Sequence, residues 1–176
     1  MPLAPPTRPT VVLIGKESTG KSALAAALTG RSPRSSNLQG STIACETYQT
    51  QENAPIDTLI DTPGILFRAD TAATQIALEQ LQAHNRVLLV VKATHMDNDL
   101  ADLLPLVAGK QGLVVVTFWD KVRVSEVTRQ VLDRWEQTAQ IKFIPVDARN
   151  LRSEQRQQIF AALQTPTVFP SAFPEG

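Results

Sequence analysis

The stretch GKESTGKS at residues 15–22 fits the pattern G-x-x-x-x-G-K-[ST] and decides the fold class. An apolar segment of strand length precedes it at 10–14, and a segment rich in strong helix formers follows it at 21–29. Between a strand and a helix, a loop of this pattern holds phosphates with its backbone N–H groups and the positive end of the helix. We therefore expect a phosphate-binding loop, with Lys21 on the β- and γ-phosphates of a nucleotide and Ser22 on Mg²⁺.

Strands and helices alternate along the rest of the chain. Strands are predicted at 10–14, 42–50, 56–60, 86–91, 112–118 and 141–146, and helices at 21–29, 72–84, 100–108, 125–140 and 153–163. The polar segment 31–41 is predicted to be a loop. Because several strands are continuously apolar, we expect an α/β fold with a six-stranded, mostly parallel sheet and helices on both faces. The segments 42–50 and 56–60 leave no room for a crossover helix, so they should be antiparallel neighbours.

Composition narrows the class of protein. The chain has 176 residues, which suits one domain, and its 17 basic and 17 acidic residues give no formal net charge. A neutral chain is unlike a nucleic-acid binder that works through bulk charge. Cys45 is the only cysteine, so disulfides cannot hold the fold and a cytoplasmic location is expected. We expect a flexible proline-rich tail at 1–9, the folded domain at 10–165, and a proline-rich stub at 166–176.

Two aromatic residues of the stub, Phe169 and Phe173, are expected to dock on the domain, with a partner-binding motif as the alternative. No apolar stretch reaches the roughly 18 residues that span a bilayer.

The tetrapeptide D-T-P-G at 61–64 follows a predicted strand, at the carboxyl edge where ligands bind in such sheets. A carboxylate at Asp61 can hold the water shell of Mg²⁺, and the N–H of Gly64 can meet the γ-phosphate. Two further loops, after residues 118 and 146, should lie at the same edge.

The segment T-F-W-D-K at 117–121 resembles the base-reading motif of GTPases, which is Asn-Lys-x-Asp or Asn-x-x-Asp. By this resemblance, Asp120 accepts hydrogen bonds from guanine N1 and N2, which disfavours adenine because adenine lacks the 2-amino donor. Thr117 replaces the usual Asn, so we expect weaker nucleotide affinity with the guanine preference retained. The later stretch V-D-A-R resembles the Ser-Ala loop of GTPases, with Ala148 matching the residue whose N–H meets guanine O6. Asp147 stands where Ser or Thr is usual.

Three segments resemble the cytoplasmic G domain of FeoB-type ferrous iron transporters. TGRSPRSSNLQGSTI at 29–43 is similar to the family's TG…NWPGVTV switch I, DTPGI at 61–65 to its DLPGI, and KATHMDNDL at 92–100 to its DATNLERNL. The similarity covers roughly residues 10–165, and the first and last matches separate the chain from Era- and Der-like GTPases. The resemblance implies a P-loop G domain that regulates ferrous iron uptake, in the cytoplasm or at the inner face of the membrane beside a transporter partner.

The resemblance also implies particular roles. Thr42 would be the switch I threonine, whose hydroxyl ligates Mg²⁺ and whose N–H meets the γ-phosphate. Ile65 stands where Ras-like proteins carry the Gln that orients water, so intrinsic hydrolysis should be slow. FeoB domains use an Asn at the fourth loop position to hold K⁺. Ser18 occupies that position here, and we therefore expect weak or absent K⁺ stimulation.

The expected site gathers these residues. The nucleotide-binding residues are Gly15, Lys16, Glu17, Ser18, Thr19, Gly20, Lys21, Ser22, Ala23, Thr117, Asp120, Lys121, Asp147 and Ala148. Switch I comprises Asn37, Gly40, Ser41 and Thr42, and switch II comprises Asp61, Thr62, Pro63, Gly64 and Ile65. Catalysis is assigned to Lys21, Thr42 and Gly64, and Mg²⁺ to Ser22, Thr42 and, through water, Asp61.

Several alternatives stay open at this point. The chain is either a slow GTPase of this kind, an Era- or Der-like GTPase of ribosome or RNA assembly, or a nucleotide-responsive module with negligible turnover. It is either an excised domain or a freestanding relative that acts with a separate membrane protein. Lys16 and Glu17 are expected to be solvated charges, with a role of Lys16 near the phosphates as the alternative. Trp119 packs either beside the base or against the core.

Overall fold

A strand and a helix flank the phosphate loop, and the rest of the sheet is built outward from them. The computed structural model describes residues 8–30, 34–35, 45–52, 54–65, 72–121 and 126–170. The strands are β1 (Thr10–Gly15), β2 (Arg34–Ser35), β3 (Glu46–Gln49), β4 (Thr58–Asp61), β5 (Arg86–Lys92), β6 (Gln111–Thr117), β7 (Phe143–Pro145) and β8 (Thr167–Val168). The helices are α1 (Lys21–Thr29), α2 (Ala72–Ala83), α3 (Met96–Val107), α4 (Glu126–Ala139) and α5 (Ser153–Gln164).

The sheet is mixed, with a parallel centre. Its strand order is β2-β3-β4-β1-β5-β6-β7, and β8 pairs with β6. The strands β4, β1, β5, β6 and β7 run parallel, as their apolar sequences predicted. The expected antiparallel pairing of β3 with β4 is confirmed.

The predicted count of six strands was wrong. Among the described residues, seven strands follow one another in the sheet order, and the short β8 lies beside β6. The additional strands, β2 and β8, have two residues each and pair antiparallel with β3 and β6. Because β2 lies within 31–41, that segment is not entirely a loop. Strands this short carry too little alternation of apolar residues to be read from sequence.

The core has two layers, one on each face of the sheet, because successive side chains of a strand point to opposite faces. In β1, Val11 and Leu13 pack with α1 and α5, whereas Val12 and Ile14 pack with α2, α3 and α4. All four are fully buried. The two layers fix β1 from both sides and so hold the loop that follows it in place.

Phe169 belongs to the core although it lies beyond residue 165. Its side chain is fully buried with α2, α3 and α4, which confirms the expected docking; Phe173 lies outside the described residues. The Phe169 N–H donates to Lys110 O (2.8 Å), and the Phe169 carbonyl accepts from Gly109 N (2.9 Å). A Cβ on Gly112 would lie 1.7 Å from Val87 O and 3.2 Å from the Phe169 ring, so this crossing requires glycine.

At the other end of the chain, two residues of the predicted tail contact the turn between β3 and β4. Arg8 forms an ion pair with Asp57 (3.2 Å), and Pro9 O accepts a hydrogen bond from Asp57 N (2.9 Å). Within the described part of the chain, no helix has the length and apolar character needed to cross a bilayer.

Candidate functional site

The loop between β1 and α1 is a tight backbone turn. Gly15 ends β1 where a Cβ would lie 2.7 Å from Val90 O, so a larger residue would push β1 away from β5. Ser18 and Gly20 have positive φ angles of 61° and 82°, which turn the chain back on itself before α1 begins. Thr19 closes the turn by donating from its hydroxyl to Lys16 O (2.9 Å). The predicted strand, loop and helix are therefore all present.

Lys21 is the buried cation of this loop. Its residue is only 8% exposed, and burial lowers the pKa of its ammonium group, while the charges of Asp61 and Glu17 act to raise it. An anion bound here would be stabilised by two positive groups, the buried ammonium and the N-terminus of α1.

Ser22 and Asp61 join the loop to the end of β4. The Ser22 hydroxyl donates to Asp61 Oδ2 at 2.5 Å. Asp61 is 5% exposed, and its other carboxylate oxygen, Oδ1, is buried without a hydrogen-bond partner among the described residues. Burial raises the pKa of the Asp61 carboxyl, and the Ser22 hydrogen bond and the charge of Lys21 offset only part of that rise. A hydroxyl beside a carboxylate with an unused buried oxygen fits Mg²⁺, which prefers oxygen ligands.

The predicted switch II segment, residues 61–65, extends from the end of β4 onto the loop of residues 15–22. The Thr62 hydroxyl donates to Leu13 O (2.7 Å), and Ile65 N donates to Gly15 O (3.0 Å). Gly64 packs so closely on Glu17 that a Cβ there would lie 2.5 Å from Glu17 Cγ. The predicted residues 61–65 thus reach the loop of residues 15–22. The predicted switch I residues, Asn37, Gly40, Ser41 and Thr42, lie outside the described residues.

Ile65 is part of the core rather than of the solvent-facing site. It is 1% exposed and packs with the α2, α3 and α4 layer. An aliphatic side chain in this position has neither the chemistry nor the access to orient a water molecule.

Thr117, at the end of β6, supports the loop from beneath. It is fully buried, and its hydroxyl donates to Thr19 O at 2.6 Å, with Val91 O a second acceptor at 3.2 Å. This hydrogen bond therefore connects the predicted base-reading segment, residues 117–121, to the loop of residues 15–22. Asp120 lies in the next short turn and is exposed at the surface.

The following loop, after β7, comes to the same place. Asp147 accepts a hydrogen bond from Arg149 N through Oδ1 (3.1 Å), which holds the turn that buries Ala148. A cavity of about 100 Å³ lies between this turn, the start of α1 and the end of β6; its lining includes Gly20, Ala23, Thr117, Phe118, Asp147 and Ala148. Trp119 packs against the α2, α3 and α4 layer of the core. Of the two alternatives for this residue, core packing is the contact that the structure describes.

Two features of the site were missed. Phe118 lines the cavity with a positive φ of 56°, and the Lys92 ammonium lies 5.0 Å from the centre of its ring. Phe118 occupies the second position of the Asn-Lys-x-Asp motif, and this departure was the signal available.

The second missed feature concerns Lys16, whose side chain turns away to α3. Its ammonium pairs with Asp102 (2.5 Å) and Asp99 (3.5 Å), so it is a paired charge and not the isolated solvated charge that was expected. Asp99 is 4% exposed and also accepts from Lys92 N (3.0 Å). The spacing of two carboxylates three residues apart on one helix was the available signal.

Comparisons with known proteins agree with this geometry. A family model described as "50S ribosome-binding GTPase" matches residues 10–121. No curated protein is similar enough to count as a match. Among solved structures, an S. thermophilus NFeoB mutant bound to GDP superposes with a TM-score of 0.74 at 20% identity, covering 95% of this chain and 66% of that one.

Two further structures give the same result. The cytosolic domain of L. pneumophila FeoB has a TM-score of 0.74 at 20% identity, covering 95% of this chain and 68% of that one. A second S. thermophilus NFeoB mutant, bound to GMPPNP, has a TM-score of 0.71 at 23% identity, covering 95% and 66%. The chain spans about two thirds of the length of these structures. The resemblance noted from sequence is thereby confirmed at the level of the fold.

Proposed function

Because the chain belongs to the 50S ribosome-binding GTPase family, we propose that it binds GTP and GDP with Mg²⁺ at residues 15–22 and hydrolyses GTP. One observation carries the proposal. Lys21, Ser22 and Asp61 meet at the N-terminus of α1, where Ser22 and Asp61 are 2.5 Å apart and the Asp61 charge acts on Lys21. These are the three side-chain types that hold the β- and γ-phosphates and the metal in phosphoryl-transfer sites.

Catalysis in this proposal is mostly positioning and charge neutralisation. The backbone N–H groups of the loop and the Lys21 ammonium hold the phosphates. Ser22 and Thr42 would ligate Mg²⁺ directly and Asp61 would hold its water shell; the bound metal neutralises charge that develops on the phosphate oxygens. Gly64 would donate its N–H to the γ-phosphate.

Guanine recognition is assigned to the cavity beside Ala148. Asp120 would accept from guanine N1 and N2, and the Ala148 N–H would donate to O6. The hydrogen bond from Thr117 to Thr19 O supplies the support that connects this end to the phosphate loop. Lys121 and Ala23 complete the proposed nucleotide contacts.

Turnover is expected to be slow, because Ile65 is 1% exposed in the core and cannot orient water. The Ser18 hydroxyl stands on a shorter side chain than the amide oxygen of the Asn in FeoB domains. K⁺ should therefore stimulate hydrolysis weakly or not at all. Measuring GTP turnover in K⁺ and in Na⁺ buffers tests this point, and a large K⁺ effect would refute it.

The switches should respond to the γ-phosphate. Two contacts support this proposal: Ile65 N donates to Gly15 O, and Gly64 packs on Glu17, so residues 61–65 lie against the loop. A γ-phosphate that binds the Gly64 N–H changes this contact, and its loss after hydrolysis restores it. Hydrogen exchange of residues 61–65 should therefore differ between the complexes with GDP and with a GTP analogue.

Calorimetric titration with GDP, a non-hydrolysable GTP analogue and ATP, with Mg²⁺ present or chelated, tests the proposal. We expect binding of both guanine nucleotides, dependence on Mg²⁺, and no measurable ATP binding. Lys21→Ala should abolish binding because it removes the buried cation of the loop. Lys142→Ala is the matched control, since Lys142 is exposed and precedes β7 at the opposite edge of the sheet. Unchanged affinity in Lys21→Ala would contradict the site assignment.

The cellular role follows from the likeness to FeoB domains. We assign the chain to the control of ferrous iron uptake, in the cytoplasm or at the inner face of the membrane, acting with a membrane iron-transport protein or its membrane domain. Retention of the chain by membranes that contain such a transporter, and not by membranes that lack it, is the expected result.

The description of the matched family favours a second candidate, a GTPase that acts on the ribosome. Co-sedimentation with ribosomes that depends on GTP would support this candidate over the first. A third reading, a nucleotide-responsive module without turnover, would be supported by tight GTP binding with no phosphate release in a single-turnover experiment.

A further inference from the structure

The phosphate loop contains an acidic residue to which the proposed mechanism gives no task. Glu17 is the third residue of the loop and its side chain is exposed. A loop that gathers backbone N–H groups to attract anions is an unfavourable place for a carboxylate. Its position therefore needs a physical account.

The first observation is the contact between Glu17 and switch II. A Cβ on Gly64 would lie 2.5 Å from Glu17 Cγ, 2.6 Å from Glu17 Cα and 2.8 Å from Glu17 N. The two residues thus touch backbone to backbone, and the side chain of Glu17 begins beside Gly64. The Gly64 N–H is the group expected to donate to a γ-phosphate.

The second observation is electrostatic. Burial lowers the pKa of Lys21, and the charge of Glu17, like that of Asp61, opposes this shift; the Glu17 carboxylate therefore lies within electrostatic reach of the ammonium that should hold the β- and γ-phosphates. Asp61 is the other carboxylate that acts on Lys21, and it is already assigned to the metal. Glu17 is therefore bracketed by the two groups, Lys21 and Gly64, that a γ-phosphate would use.

We propose that Glu17 is a specificity-determining residue that makes this site hold GDP more tightly than GTP. The inference rests on the proposed function. With GDP bound, Lys21 is shared between the Glu17 carboxylate and the β-phosphate, and no γ-phosphate lies beside Gly64. A γ-phosphate adds negative charge between Lys21 and Gly64, so Glu17 repels it and competes with it for the same cation.

The size of the effect is limited because Glu17 is exposed. Water and salt screen an exposed charge, and the side chain can rotate away from the phosphate. We expect Glu17 to change the ratio of the two affinities on the order of tenfold. The preference should shrink as ionic strength rises, since the Debye length falls to about 3 Å at 1 M salt.

Dissociation constants for GDP and for a non-hydrolysable GTP analogue, measured by calorimetry with Mg²⁺, test the proposal in the full chain. Glu17→Gln keeps the shape that packs on Gly64 and removes only the charge. We expect this variant to bind the GTP analogue about tenfold more tightly and GDP within about twofold of the wild type. Glu154→Gln, at an exposed residue in the first turn of α5, is the control and should change neither affinity.

Three results would overturn the proposal. An unchanged ratio of affinities in Glu17→Gln would show that the charge does not select between the nucleotides. Equal changes in both affinities would show that Glu17 affects the loop as a whole. A ratio that does not respond to salt would exclude a charge effect. If the wild type binds neither nucleotide, the proposed function falls and this inference falls with it; GDP binding with an unchanged ratio refutes only the inference.

Discussion

The hydrogen bond from Thr117 to the phosphate loop gives the sharpest test of how β6 supports nucleotide binding. Thr117→Val replaces the hydroxyl by a methyl group of nearly the same volume, at a fully buried position. The change removes the donor that lies 2.6 Å from Thr19 O and leaves the packing in place. A buried carbonyl that loses its donor costs about 1–3 kcal/mol, so we expect the free energy of unfolding to fall by that amount.

The same substitution at Thr29 provides the control. Thr29 is 3% exposed, and its hydroxyl donates to Ala25 O (2.9 Å) inside α1. The helix already gives that carbonyl a backbone donor, so Thr29→Val should cost less than about 1 kcal/mol. Urea unfolding of the wild type and both variants supplies the three free energies.

Nucleotide affinity completes the test, because Thr19 lies within the loop. Each 1.4 kcal/mol of lost loop stability that binding must restore weakens affinity about tenfold. We therefore expect Thr117→Val to bind GDP several-fold to about a hundredfold more weakly, and Thr29→Val to bind as the wild type does. Equal losses of stability in the two variants, or unchanged GDP affinity in Thr117→Val, would refute the reasoning.

Three other predictions concern different parts of the chain. Tyr48 is the only tyrosine, and burial and Glu46 raise its pKa to about 12, so its phenolate absorbance should titrate there in the folded chain and near 10 in denaturant. Because the unfolded chain loses this proton first, stability should fall as the pH rises from about 10 to about 12; a folded-state midpoint near 10 would contradict this. Phe169→Ala should lower the free energy of unfolding by about 3–5 kcal/mol in urea, whereas Val168→Ala, at a residue 55% exposed, should change it by less than about 0.5 kcal/mol. Asp99→Asn removes the charge opposite Lys16, a residue of the phosphate loop. Because the loop then loses a contact that holds it in place, we expect GDP to bind a few-fold more weakly. Additive effects of Asp99→Asn and Lys16→Met on GDP affinity in a double-mutant cycle would exclude coupling between the two residues.

The central sheet was predictable because its strands carry their own signal. The apolar runs 87–91 and 113–116 are fully buried in β5 and β6, as an all-apolar strand between two helical layers must be. β8 gave no such signal. Its two residues are exposed, and its place depends on the burial of Phe169 and on backbone hydrogen bonds to residues 109 and 110. Such contacts are set by tertiary structure and not by local pattern.

The candidate site likewise has features that local sequence predicts and features that depend on tertiary contacts. The turn at residues 15–22 was predictable because glycine spacing and the following helix are local features. The Lys16 ion pair was not, because its partner Asp102 is 86 residues away along the chain. From sequence, Lys16 was predicted to be a solvated charge, with a role near the phosphates as the alternative. Only the packing of α3 beside the loop brings Lys16 and Asp102 together.

The network around α3 also extends to Phe118, the residue that departs from the Asn-Lys-x-Asp form of the base-reading motif. The Asn-Lys-x-Asp form of the motif has a Lys at that position, whereas here the Lys92 ammonium, from the end of β5, lies 5.0 Å from the Phe118 ring centre. Asp99 accepts the Lys92 N–H and pairs with Lys16, so one buried carboxylate connects the cavity to the phosphate loop. A comparison along the motif alone does not reveal this contact, because Lys92 comes from the neighbouring strand that the sheet sets beside β6.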